Sequence, residues 1–292
     1  MQEFDFEHPT TVEEAVALMN HSGARALAGG TDLIPQVREG RRSPDRIVDL
    51  KKIAALTAIS ETSDGGLSIG AAVSAAAIAR HPRVREAYPA IASSVGLIGS
   101  LQVQNRASLG GNICNAAPSA DAVPAVLCHG ATAVIAGPAG RRGIPLEDLF
   151  QGPGRTTLAR GELLVSIDLP PPAPNSAAHY LRFTPRREMD IAVVGAGTWI
   201  QLADDQRIAD ARIFLASVGP TPIRAVSAEK ALIGKPVDAD VLLEASRAAA
   251  TDARPISDTR GSAEYRRSLV ATLTARALGA CCRSLGLEVE TP

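Results

Sequence analysis

Aromatic side chains are scarce, making up 3% of the 292 residues: one Trp, three Tyr and five Phe. So few π faces leave little platform for stacking single-stranded nucleic acid, and the core must be filled mainly by Ala, Val, Leu and Ile. An excess of one charge is also missing. With 30 basic and 31 acidic residues the net charge is −1, which argues against strong dependence on nucleic acid or an anionic membrane. Cysteine is limited to Cys114, Cys128, Cys281 and Cys282, with no C-x-x-C among them. Adjacent Cys281 and Cys282 cannot both ligate one tetrahedral metal comfortably, and His8, His21, His81, His129 and His179 form no i, i+4 pair. No metal or iron–sulfur site is expected within the chain.

Long apolar runs are absent as well. Two uncharged windows, 87–105 and 122–140, are broken by Pro89, Gln102 and Gln104 in the first and by Pro124, His129, Gly130 and Pro138 in the second. Neither can cross a bilayer as a continuous apolar helix. The opening Met1–Phe6 has no basic region followed by an apolar run, so no signal peptide is expected and the reading is cytoplasmic. What remains is an ordinary soluble composition, 46% hydrophobic and 21% charged. This length suggests two or three domains, able to bury about 75% of the unfolded surface.

Against that background two glycine pairs stand out, in Leu27-Ala28-Gly29-Gly30-Thr31-Asp32-Leu33 and in Ser108-Leu109-Gly110-Gly111-Asn112-Ile113-Cys114-Asn115. Tandem glycines accept φ > 0 and lack a Cβ, so successive N–H groups can turn toward one phosphate. Two such turns point to a ligand with two phosphates and hydroxyls between its ends. Thr31 can donate a hydroxyl to a phosphate, whereas Asp32 suits a helix cap, or the orienting of neighbouring N–H groups, better than an anion. Ser108, Asn112 and Asn115 add hydrogen-bonding groups. Asp121 stands at a helix start, where it can accept from a sugar hydroxyl, cap the helix for about 1 kcal/mol, or do both.

The hydrophobic pattern divides the chain into three stretches. Residues 1–50 read strand, helix, strand, helix, strand, with Thr11 and Glu14 at capping-box spacing; such small alternating units favour parallel pairing with ligand loops at the carboxyl ends of strands. Residues 60–170 carry strands at 67–71, 132–136 and 163–169 and helices at 74–80, 89–99 and 121–127. The proline-rich 170–175 reads as a linker. Beyond it lie β-like runs at 180–184, 191–202 and 211–218, then helices at 227–233, 239–251 and 262–285. Val194-Gly195-Ala196-Gly197 imitates a dinucleotide fingerprint but lacks its third glycine, and Thr198-Trp199-Ile200 favours strand. Neither a Walker sequence nor G-x-S-x-G is present, so any chemistry falls to a bound cofactor and no catalytic side chain is named.

The two glycine motifs, with Asn115-Ala116-Ala117-Pro118-Ser119-Ala120-Asp121, Glu162–Ile167, Arg182-Phe183, Arg186-Arg187, Asp190-Ile191-Ala192 and Tyr265-Arg266-Arg267, closely resemble the FAD-binding medium subunit of molybdenum hydroxylases. The resemblance spans essentially the whole chain. It implies an α+β protein: a two-part FAD-binding region of the vanillyl-alcohol oxidase (PCMH) type over 1–175, with parts near 1–55 and 56–175. A C-terminal α+β domain with a small antiparallel sheet and helices would follow over 176–292.

By the same resemblance, residues 27–33 (Leu27, Ala28, Gly29, Gly30, Thr31, Asp32, Leu33) and Ser108, Gly110, Gly111 and Asn112 would hold the pyrophosphate of a non-covalent FAD. Asn115 and Asp121 would meet the flavin or its hydroxyls, and Leu164 would touch the ring through its backbone. Arg182 stands where relatives commonly carry a lysine, and its planar guanidinium sits differently from an ammonium. The implied partners are a large molybdopterin subunit and a small subunit with two [2Fe–2S] clusters, in a dimer of heterotrimers. Electrons would reach FAD from the clusters and leave to an external acceptor. The alternatives are a self-contained FAD-dependent oxidoreductase on this scaffold and an assembly component that has lost its flavin.

Overall fold

The first helix is fixed by its cap. In the computed structural model, which describes residues 3–289, the Thr11 side chain accepts from the Glu14 N–H while the Glu14 carboxylate accepts from the Thr11 N–H. The helix Val12–Met19 so started buries Val12, Ala15 and Val16, one apolar stripe at helical spacing. It is the crossover between Asp5–Glu7 and Ala24–Leu27. A second helix, Leu33–Arg38, leads to Arg46–Asp49, and the three strands pair in parallel with Arg46–Asp49 in the centre. This order brings the ends of all three strands, at His8, Ala28 and Asp49, to one edge of the sheet, where ligand loops are expected in parallel sheets.

A five-stranded antiparallel sheet completes this unit, in the order Ile59–Glu61, Leu67–Gly70, Leu163–Leu169, Thr132–Gly137, Gly140–Pro145. The inner strands follow the apolar runs of the sequence. The edge strands Ile59–Glu61 and Gly140–Pro145, largely exposed and polar, give no such signal. Val12, Ala15 and Val16 share one core cluster with Val48, Leu163 and Val165.

The second unit is discontinuous: residues 79–99 and 117–129 belong with 172–289. The sequence-based boundary near 175 describes the order of the chain, whereas in space the helices Pro89–Val95 and Ala122–Cys128 pack on the later antiparallel sheet. That sheet runs Ser176–Phe183, Val194–Leu202, Ile208–Ala216, Ile223–Arg224. Its central strand carries Val194–Gly197 and is covered on both faces. A Cβ on Gly197 would lie 2.8 Å from the Pro124 backbone, whereas the next residue, Thr198, meets Cys281 of the long helix Ala263–Ser284. Of the glycines that imitate a nucleotide fingerprint, Gly197 makes room for a helix and Gly195 for the Tyr180 ring, and the strand reads as continuously apolar because both faces are buried. Among the described residues no helix is long and apolar enough to span a membrane.

His129, at the end of Ala122–Cys128, is 8% exposed, meets the Tyr88 ring edge-on and has no partner for Nε2 among the described residues. Burial, then the charge of Arg212, lowers its pKa from the ordinary 6.5 to about 4. The folded pKa lies below the unfolded one, so the unfolded chain takes up the proton first. Stability is full above the ordinary pKa and declines as pH falls toward the folded one, by roughly 2–3 kcal/mol at about pH 4.5. Urea unfolding of wild type and His129→Leu at neutral and acidic pH checks this: the variant is expected to lose that part of the acid sensitivity.

Candidate functional site

The first glycine loop leaves main-chain donors unused. Gly30 takes φ +76, and the Gly30 and Asp32 carbonyls accept from Ile34 and Gln36 as the helix begins. The N–H groups of Gly29, Gly30, Thr31, Asp32 and Leu33, however, meet no protein acceptor among the described residues. The Asp32 side chain makes no capping hydrogen bond, which corrects its reading as a helix cap. Five successive unpaired donors, from the loop at the carboxyl end of a parallel strand to the first residue of the next helix, are free to meet an anion.

The second motif is built differently, and here the reading of a main-chain grip is overturned. Leu109–Cys114 is a helix capped by Ser108, whose hydroxyl accepts from the Gly111 N–H at 3.0 Å. The Gly110 N–H donates to Ala71 at 2.9 Å and the Asn112 N–H to the Ser108 carbonyl at 2.9 Å. Those donors are spent inside the protein. Gly110 is needed for close packing, since a Cβ there would lie 2.5 Å from the Ala71 carbonyl oxygen and Cβ. Gly29 is equally constrained: a Cβ would stand 1.8 Å from the Arg106 carbonyl oxygen. The two motifs therefore meet, with Gly29 seated against the turn that leads into Ser108.

Beside this junction lies a cavity of about 450 Å³ whose walls include Ala28, Ala71, Gly110, Gly111, Cys114 and Leu164. Small apolar side chains and bare backbone, with Arg25, Arg160 and Glu162 also in the lining, make a space that admits one end of an extended ligand. Asn112 supplies an independent sign of a ligand. Its Oδ1 is buried without a partner among the described residues, and an unpaired buried acceptor costs about 1–3 kcal/mol. A hydroxyl-bearing diphosphate ligand answers both needs, an anion for the loop and a donor for Asn112, so the residues present fit FAD. Asn112→Ala is expected to leave the stability of the cofactor-free chain unchanged or slightly higher while weakening FAD binding about tenfold. Thermal unfolding and flavin-fluorescence titration check the two halves.

The other expected contacts are distributed as follows. Leu27 is buried at the end of its strand, and Thr31 and Asn115 are half-buried. Asp121 and Arg182 belong to the second unit. Asp121 does not cap its helix: it makes no capping hydrogen bond, and its Oδ1 accepts from the Tyr180 hydroxyl at 2.9 Å. Its Oδ2 accepts from Arg182 Nη1 at 2.5 Å, with the two side chains 10% and 7% exposed. Burial raises the Asp121 pKa, and the Arg182 charge and both hydrogen bonds offset it only in part. Gly195 makes this cluster possible, since a Cβ on it would lie 2.5 Å from the Tyr180 hydroxyl. Among the described residues no group of three or more His, Cys, Asp or Glu could hold a metal ion.

Sequence reasoning missed Lys51. Its Nζ donates to the Ala28 carbonyl at 3.0 Å and to Asp49 at 2.5 Å. Burial alone would raise the Asp49 pKa, but hydrogen bonds from the Lys51 side chain and backbone, with its charge, bring it below the ordinary value. The available signal was Asp49-Leu50-Lys51 at the end of a strand of the parallel sheet.

Residues 2–172 match the family model described as the FAD binding domain in molybdopterin dehydrogenase, and residues 179–281 match that of the CO dehydrogenase flavoprotein C-terminal domain. The chain belongs to this flavoprotein family. The flavoprotein is 31% identical to the xanthine dehydrogenase FAD-binding subunit of Escherichia coli O157:H7, over 98% of this chain and 100% of that one. Its fold is similar to carbon monoxide dehydrogenase from Hydrogenophaga pseudoflava lacking the Mo-pyranopterin moiety of its cofactor: TM-score 0.92, 31% identity, 97% of this chain and 98% of that chain. Quinoline 2-oxidoreductase from Pseudomonas putida 86 follows with TM-score 0.90, 28% identity, and the same two shares, 97% and 98%. The flavoprotein is thus an FAD-binding component of an oxidoreductase, with a mixed α/β fold and an antiparallel sheet and helices in its C-terminal domain.

Proposed function

We propose that this flavoprotein is the electron-transfer subunit of a heterotrimeric molybdenum hydroxylase. The observation that carries the reading is the run of unpaired donors at Gly29–Leu33 beside a cavity walled by Ala28, Gly110, Gly111 and Leu164. In this reading Gly29–Leu33 would orient the diphosphate, Asn112 would accept from a cofactor hydroxyl, and the cavity would receive one end of the ligand. Asn115, Asp121, Leu164 and Arg182 remain the residues that the resemblance assigns to the flavin. Bound FAD supplies the redox chemistry, taking electrons from [2Fe–2S] clusters and yielding them to an external acceptor. The FAD-binding region, 1–175, is of the vanillyl-alcohol oxidase (PCMH) type, followed by 176–292, and the complex is a cytoplasmic dimer of heterotrimers.

Support for partners comes from the relatives' names: a carbon monoxide dehydrogenase medium chain from Hydrogenophaga pseudoflava and a 6-hydroxypseudooxynicotine dehydrogenase complex subunit alpha from Paenarthrobacter nicotinovorans are each parts of larger assemblies. Isolation from cells under native conditions tests the proposal. Three co-purifying chains with flavin, iron and molybdenum are expected. A lone chain that is itself reduced by a small organic substrate would instead establish a self-contained oxidoreductase.

A further inference from the structure

We infer that Lys51 is a positioning residue that sets the direction of the first main-chain donor in the diphosphate loop, acting through the Ala28 carbonyl. This rests on the FAD reading above and adds a residue that the glycine motifs do not contain.

The Ala28–Gly29 peptide is trans, and in a planar trans peptide the carbonyl oxygen and the following N–H point to opposite sides. Lys51 Nζ holds that oxygen at 3.0 Å, so the Gly29 N–H is directed away from Lys51. The ammonium is itself held. Asp49 accepts it at 2.5 Å and accepts the Lys51 N–H at 3.1 Å, and Asp49 is only 8% exposed. Asp49 also pairs in register with Leu27, so the clamp spans two adjacent strands and ends one residue before the loop. His8 Nδ1 lies 3.8 Å from the other Asp49 oxygen at the same sheet edge. Because Asp49 compensates the Lys51 charge at contact distance, Lys51 works by orientation and adds little net attraction for an anion. The loop donors are then in place before the ligand arrives, which lowers the ordering cost of binding.

The test uses the full chain, freed of flavin and titrated with FAD by fluorescence quenching. Lys51→Met keeps the aliphatic stem and removes the donor. It is expected to weaken FAD binding about tenfold, equivalent to about 1.4 kcal/mol. The cofactor-free variant is expected to melt lower than wild type, because the Asp49 carboxylate, only 8% exposed, loses its partner, so binding is compared at a temperature where both proteins are folded. Lys51→Arg, which can still donate to the Ala28 carbonyl, is expected to bind within about threefold of wild type. Lys51→Met leaves Asp49 uncompensated. The double variant Asp49→Asn/Lys51→Met, which keeps the local charge balance, is therefore expected to show the salt dependence of wild type while still binding about tenfold more weakly. A double variant that binds like wild type would overturn the inference. Lys51→Met binding within about twofold of wild type would overturn the inference while leaving the FAD reading intact. So would equal weakening of Lys51→Met and Lys51→Arg together with lowered melting of both. A wild-type chain that takes up no FAD would overturn both.

Discussion

Gly29→Ala is expected to yield a protein with little or no bound flavin and a melting temperature lowered by roughly 6–12 °C, corresponding to about 3 kcal/mol or more. The added methyl would sit 1.8 Å from the Arg106 carbonyl oxygen and 2.9 Å from the Ala107 Cα, both backbone atoms that no rotamer change can move. Either the loop or the turn before Ser108 must shift by more than an ångström, and the run of donors loses its shape. Gly110→Val makes the complementary case. Its branched side chain would strike the Ala71 backbone, so that protein is expected to lose stability first, and missing flavin there would report a damaged scaffold. Flavin-to-protein ratio and thermal unfolding, measured on both variants and on Gly30→Ala, separate the effects. At Gly30 a methyl meets only side-chain atoms at 3.1 Å, although the backbone has φ +76, so the melting loss is expected to be about 1 kcal/mol.

Arg182→Met is the second large effect. It removes the partner of a carboxylate that is only 10% exposed, and breaking a buried pair from one side costs about 3–5 kcal/mol. The pH dependence identifies the cause. Burial already raises the Asp121 pKa in the presence of Arg182, and without the guanidinium it rises further. A carboxyl whose folded pKa exceeds its unfolded value destabilises the fold when ionised. The deficit of Arg182→Met is therefore expected to shrink as pH falls from neutral toward about 5 and Asp121 takes up a proton. Denaturant unfolding across that range checks it. A deficit independent of pH would assign the loss to packing of the arginine stem.

The fold was legible wherever one physical signal dominated. Thr11 and Glu14 announced a capping box, the alternation in residues 1–50 announced small parallel units, and the inner antiparallel strands followed apolar-rich runs. What the sequence concealed were features set by tertiary approach. Segments 79–99 and 117–129 carry helical patterns that say nothing about which sheet they join. The same holds for glycine. Gly29–Gly30 and Gly110–Gly111 look alike as dipeptides, yet the first pair begins a loop with unpaired donors and the second lies inside a capped helix packed on Ala71. A missing Cβ accommodates a phosphate or a neighbouring backbone equally well, and only the surrounding hydrogen bonds decide between them. Asp121 was legible as a carboxylate at a helix start, but its burial and its partners Tyr180 and Arg182, about sixty positions on, had no local signature.

The central claim is that Gly29–Leu33, and not Gly110–Asn112, supplies the main-chain donors for the cofactor. Amide hydrogen exchange of the full chain, with and without FAD, tests it most directly. The account predicts that amides of Gly29–Leu33 exchange rapidly in the cofactor-free chain and become protected when FAD binds, whereas those of Gly110–Asn112 are slow in both. Saturating FAD that leaves exchange at Gly29–Leu33 unchanged, or protects only the second motif, would contradict it.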